Sequence, residues 1–96
     1  VENKYNFYLA VLLRRLKSEL GISAADVAHI IDCDEAVLSR RKKHNSIRVK
    51  DLSPLAEYIG ISVGELVNAG VLDIEFSPEI DMTSKFYREK VSKSLD

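Results

Sequence analysis

Apolar side chains recur with helical period along most of this chain. Leu9, Leu13, Leu16 and Leu20 fall at i, i+4, i+7 and i+11, one face of a helix expected from roughly Tyr5 to Leu20 and closed at Gly21. A second helix follows Ser23. Ser23 and Asp26 form a Ser-x-x-acid box that satisfies free amides of the first turn, and Val27, Ala28 and Ile31 supply the inward stripe. Asp32-Cys33-Asp34 reads as a sharp turn, because Asp tolerates left-handed backbone. Asp34 is expected to cap a third helix, Glu35 to about Lys43, with Leu38 its clearest inward residue. After a polar loop, Leu52, Leu55, Ala56 and Ile59 repeat the helical spacing and stop at Gly60. Pro54 fits only the first turns, so this fourth helix is expected to start near Lys50 or to restart at Ser53. A second capping box, Ser62-x-x-Glu65, opens a fifth helix running to Asn68.

The last quarter reads differently. Leu72, Ile74 and Phe76 alternate with Asp73 and Glu75, the period-two pattern of a strand. A lone strand needs a partner, and a symmetry mate supplies one. Beyond Pro78, Ser84 is placed to cap a final helix in which Tyr87, Val91 and Leu95 share a face. The expected fold class is all-α: a compact five-helix domain at 1–69, and a C-terminal extension at 70–96 with a short strand and a final helix. That extension reads either as a dimerisation element or as a loose linker.

Composition narrows the class. Of the 96 residues, 46% are hydrophobic and 30% charged, a folded rather than a disordered balance. No apolar run approaches the ~20 residues of a membrane helix. Val1 to Asn6 lack the basic flank and apolar stretch of a secretory signal, so the expected location is cytoplasmic, with no membrane partner. The single cysteine, Cys33, excludes an internal disulfide framework.

Net charge is only -1, but its distribution is uneven. Arg40, Arg41, Lys42, Lys43, Arg48 and Lys50 crowd positions 40 to 50 without an acid among them. From Asp51 to Asp81 there are acids and no Lys or Arg. Such a basic stretch is a local footprint for a polyanion, or a solvated helix surface.

Catalytic and metal chemistry find little support. Cys33, His29 and His44 are too few for a metal site, so neither metal nor cofactor is expected. The glycines Gly21, Gly60, Gly64 and Gly70 are dispersed and form no phosphate loop. No Ser, His and acid spacing suggests a catalytic triad, and an enzyme is not expected. Cys33 reads as a small apolar filler of the turn.

Helix two, tight turn and helix three carry a resemblance. The chain from Leu13 to Ala69 resembles the Cro/cI-type helix-turn-helix family, also called the xenobiotic-response-element family. The matching residues are Leu13-Arg14-Arg15-Leu16-Lys17, Gly21-Ile22-Ser23, Asp26-Val27-Ala28 and Leu38-Ser39-Arg40, followed by Leu55 to Leu66. Within the last run, Ala56-x-x-x-Gly60-x-Ser62-x-x-x-Leu66 is the most telling part. The resemblance implies a lambda-repressor-like domain whose third helix lies in the major groove and whose second points its N-terminus at a phosphate.

Carried over by position, Glu35, Ala36 and Arg40 fall at base-contacting places, and Ser23, Ser39, Lys43, Arg48 and Lys50 at backbone-contacting ones. Arg40 has the two donors that suit guanine, Ala36 a methyl for thymine, and Glu35 an acceptor for cytosine or a charge for its own helix N-terminus. The implied function is a sequence-specific duplex-DNA-binding transcriptional regulator, a repressor acting as a homodimer on an inverted repeat. Leu66, Val67, Leu72, Ile74 and Phe76 form the expected pairing face. The chain departs from the family pattern at Ala24, where a Gln usually meets phosphate, and at Asp32 and His44, where Gly is usual. Asn45 is the residue able to take the left-handed conformation after helix three. Arg41 occupies a half-buried apolar place, so its stem is expected to pack while its charge reaches water. Ala24 and the acidic stretch 51–81 leave a second reading open, a protein-interaction module on the same fold; within the DNA-binding class, the antitoxin of a toxin-antitoxin pair also stays open.

Overall fold

The computed structural model describes residues 7–95, with side chains as far as Val91. Among the described residues the regular structure is helical throughout: α1 (Leu9–Leu20), α2 (Ala24–Ile30), α3 (Glu35–His44), α4 (Val49–Ile59), α5 (Val63–Asn68) and α6 (Lys85–Leu95). The expected start of the first helix at Tyr5 lies outside the described residues, and α1 begins at Leu9 behind the extended Tyr8. It closes as the leucine spacing suggests. The amides of Gly21 and Ile22 return to the carbonyls of Lys17 and Leu16 at 3.0 and 3.1 Å.

Both capping boxes form. Ser23 Oγ accepts from Asp26 N, and Asp26 Oδ2 accepts from Ser23 N, each at 3.1 Å. Ser62 and Glu65 repeat the exchange at the start of α5. Asp34 is the N-cap residue of α3, but its side chain makes no capping hydrogen bond, contrary to expectation. The sharp turns fall where expected, with Asp32 at φ 57° and Asn45 at φ 52°. α4 begins at Val49, the earlier of the two expected starts, so Pro54 lies in its second turn with an exposed side chain.

The core is assembled from all five expected helices. Leu9, Leu12 and Leu16 of α1 meet Val27, Leu38, Leu52, Leu55, Ile59 and Leu66, all fully buried. α4 is the hub: it packs on α2, α5 and α6, while α3 packs on α1 and α2. Phe7 lies across Gly70 so closely that a Cβ there would stand 2.3 Å from the ring, which only glycine permits.

The strand expected at 72–76 does not form. The chain turns at 72–74 instead, and Val71 makes one isolated antiparallel bridge to Phe7. Arg15 on α1 occupies carbonyls that a strand would offer to a partner. Its Nη1 donates to the carbonyls of Val71 at 2.9 Å and Ile74 at 2.7 Å, and its Nη2 to Leu72 at 3.1 Å. Longer reaches go to Asn68 and Ala69. A guanidinium presents several donors in one plane and gathers these oxygens by curling the backbone around itself.

Residues 81–91 fold back onto α4. Asp81 N donates to Gly60 O at 3.1 Å, and Ser84, capping α6 as expected, accepts from Tyr87 N at 3.1 Å. Gly60 has φ 87°, and a Cβ there would stand 2.6 Å from Ser84 Cβ. The inward residue of α6 is Phe86, set edge-on to Tyr58 at 6.2 Å. The expected Tyr87–Val91–Leu95 face is not the buried one: Tyr87 is half-buried, Val91 is 38% exposed, and the Leu95 side chain lies outside the described residues. Gly60 leaves room for Ser84 to nest, and that seating rolls Phe86 rather than Tyr87 inward.

Candidate nucleic-acid interface

α3 is held by one buried leucine. Leu38 enters the core and Val37 is half-buried, whereas Glu35, Ala36, Ser39, Arg40, Lys42 and Lys43 are exposed. Ala36, Ser39, Arg40 and Lys43 stand at i, i+3, i+4 and i+7, so they share the face that looks away from the core. The left-handed Asp32 supplies the tight turn between α2 and α3, and Cys33 N donates to Ala28 O at 2.9 Å across it. Cys33 itself packs half-buried against the core, as its apolar-filler reading required.

The structure brings the three residues expected to read bases, Glu35, Ala36 and Arg40, to the exposed side of one helix. Glu35 lies in the first turn, where its charge complements the helix dipole. Lys43 at the end of α3 and Lys50 in the first turn of α4 are exposed, and no acid among the described residues pairs with either, or with Arg40. Ser23 is partly committed, its oxygen holding the Asp26 amide.

Arg41 behaves differently from expectation, and it shares its partner with Arg48. Arg48 Nε donates to Asp51 Oδ2 at 3.0 Å, and Arg41 Nη1 donates to the same oxygen at 2.7 Å. The charge of Arg41 therefore turns inward to a carboxylate rather than out to water. A buried Asp51 beneath it is what makes the inward path favourable. In the sequence Asp51 stands at the head of the acidic stretch, and its i,i+3 spacing from Arg48 is the one signal that ties it to the basic one.

Of the expected pairing residues, Leu66 is wholly enclosed in the chain's own core and is withdrawn from any pairing face. The helical stripe of α5 and the compact α4–α5 packing need it inside. Val67 and Phe76 are partly buried against the core, while Leu72 and Ile74 are 56% and 38% exposed.

A shallow groove on another side runs between α2, α4 and α6, with Asp26, His29 and Glu57 facing Lys85 and Arg88. At its edge the Tyr58 hydroxyl donates to Glu89 Oε2. Burial, and then the hydrogen bond to the Glu89 carboxylate, push the Tyr58 phenol up to about 12. Hydrogen bonds from Thr83 Oγ1 and Thr83 N hold the Asp81 carboxyl below its usual range. Among the described residues no three His, Cys, Asp or Glu side chains converge as metal ligands, and no helix is long and apolar enough to cross a membrane. Set against protein family models, curated proteins and solved structures, the chain matches none of them.

Proposed function

We propose that this chain is a sequence-specific duplex-DNA-binding transcriptional regulator with a lambda-repressor-like fold, and that it represses as a homodimer on an inverted repeat. The observation that carries the reading is the outer face of α3. Ala36, Ser39, Arg40 and Lys43 stand on it in helical register, exposed, behind a tight left-handed turn and above a single buried anchor, Leu38. Such a helix fits the major groove, where Arg40 offers two donors to a guanine and Ala36 a methyl contact to a thymine. Lys43 and Lys50 add sequence-independent attraction by displacing counterions from phosphates. The exposed Leu72 and Ile74, with the partly buried Val67 and Phe76, are the surface through which two copies pair. Two such helices about 34 Å apart read half-sites one turn apart and exclude polymerase.

The test is selection from a randomised duplex pool at about 0.15 M salt, where weak attraction is already screened. Enrichment of an inverted repeat supports the reading. A second reading draws on the exposed acids between 51 and 81, among them Glu57 and Asp81 along the groove between α2, α4 and α6: the chain docks a basic protein partner there. An unenriched pool, with binding to no duplex, abandons the first reading for the second.

A further inference from the structure

Asp51 is a buried carboxylate at the junction of α3 and α4, and it holds two arginines. Its side chain is 7% exposed, against 20% for Arg41 and 55% for Arg48. Arg41 Nη1 and Arg48 Nε meet Oδ2 at 2.7 and 3.0 Å, and Arg48 Nη2 reaches Oδ1 at 3.4 Å. Arg48 is thus gripped along one edge of its guanidinium, and its remaining N–H groups are free to face solvent. The grip has two effects. It orients an otherwise flexible cation, and it offsets one of two positive charges, leaving the cluster a net single charge beside the exposed Lys50.

We infer that Asp51 is a specificity-determining positioning residue: it presents Arg48 to a backbone phosphate in one register while withholding a unit of charge from sequence-independent attraction. The inference rests on the DNA reading above. In a register-fixed complex, orientation of Arg48 favours binding and the offset charge opposes it. In a random complex only the offset charge counts. Removing the carboxylate charge therefore strengthens random binding and narrows the gap between cognate and random duplex.

The experiment compares wild type with Asp51→Asn on the duplex enriched from the pool and on a scrambled duplex of equal composition, across a salt series. Circular dichroism fixes a temperature at which both proteins are folded. Asp51→Asn is expected to steepen the salt slope on the scrambled duplex by about 0.9, which is about eightfold tighter binding at 0.1 M salt against a 1 M reference. The ratio of enriched to scrambled affinity falls. Arg48→Gln removes the oriented cation while Asp51 keeps Arg41, and it is expected to weaken the enriched duplex more than the scrambled one; it decides the matter if Asp51→Asn does not fold, and an equal loss on both duplexes overturns the inference. A cluster serving stability alone lowers the melting temperature and leaves slopes and ratio unchanged, and that result overturns the inference while sparing the DNA reading. If wild type binds no duplex, the reading and the inference fall together.

Discussion

Asn45 Oδ1 accepts a hydrogen bond from Leu9 N at 2.8 Å, so the residue that ends α3 also caps the start of α1. The same amide donates through Nδ2 to Phe7 O at 3.0 Å. A left-handed backbone at φ 52° aims this side chain across the fold, and few residues other than Asn combine that conformation with both a donor and an acceptor. Asn45→Gly keeps the turn and loses both bonds, which is expected to cost about 1–2 kcal/mol. Asn45→Ala adds about 1–2 kcal/mol more, because alanine resists the left-handed region. Urea unfolding separates the two. Equal stability of wild type and Asn45→Gly rules out the cap.

Gly60→Ala introduces a methyl 2.6 Å from Ser84 Cβ at a backbone of φ 87°. The expected result is undocking of 81–91, with a loss of about 2 kcal/mol. Hydrogen exchange should quicken in α6 while the α1 amides remain protected. Gly64→Ala is the contrast, since its Cβ meets only Ser62 Oγ at 3.8 Å inside a helix. It is expected to stabilise by up to about 1 kcal/mol.

Tyr58 links pH to the seating of α6. Its folded value, raised to about 12, exceeds the ordinary 10.0, so the neutral phenol is the form the fold prefers. The associated stability is fully present below pH 10.0 and is lost as pH rises toward 12. Chemical denaturation between pH 9 and 11 should show wild type losing stability more steeply than Tyr58→Phe. Parallel profiles would falsify the role of the Tyr58–Glu89 contact.

On DNA, Arg40 and Lys43 are expected to separate cleanly. Arg40→Ala should weaken the enriched duplex by roughly 1–3 kcal/mol and relax preference at one base pair. Lys43→Ala should weaken all duplexes alike and reduce the salt slope by about one. Titrations on the enriched duplex and its single-base variants distinguish them; identical behaviour contradicts both roles.

What the sequence made legible was local. Leu9, Leu13 and Leu16, the two capping boxes and the left-handed Asp32 and Asn45 all depend on residues within a turn or two, and each lies where its spacing placed it. Leu38 as the inward residue of α3 was readable in the same local way, whereas its outward residues Glu35, Ala36 and Arg40 came from the family resemblance. What escaped depends on distant partners. The carbonyls gathered by Arg15 lie 53 to 59 residues further along the chain, and no period-two pattern reveals whether its oxygens are free. Leu66 was misassigned for a related reason: an apolar residue on a short helix looks the same to a core and to a partner. Phe86 was not legible because its burial depends on how residues 81–84 seat against Gly60 and on the distant Tyr58 ring, neither of which its own helix reveals.

The hold of Arg15 on residues 68–74 has a consequence for how this protein resists self-aggregation. Leu72, Ile74 and Phe76 carry the alternation that, in an open edge, recruits further chains into stacked sheets. Recruitment requires carbonyls that can accept from a neighbour, and those of Val71, Leu72 and Ile74 already accept from the guanidinium. Arg15 is thereby placed as a gatekeeper far away in sequence, and Arg15→Ala is expected to raise fibril formation under conditions where circular dichroism still reports a folded domain; no rise rules the role out.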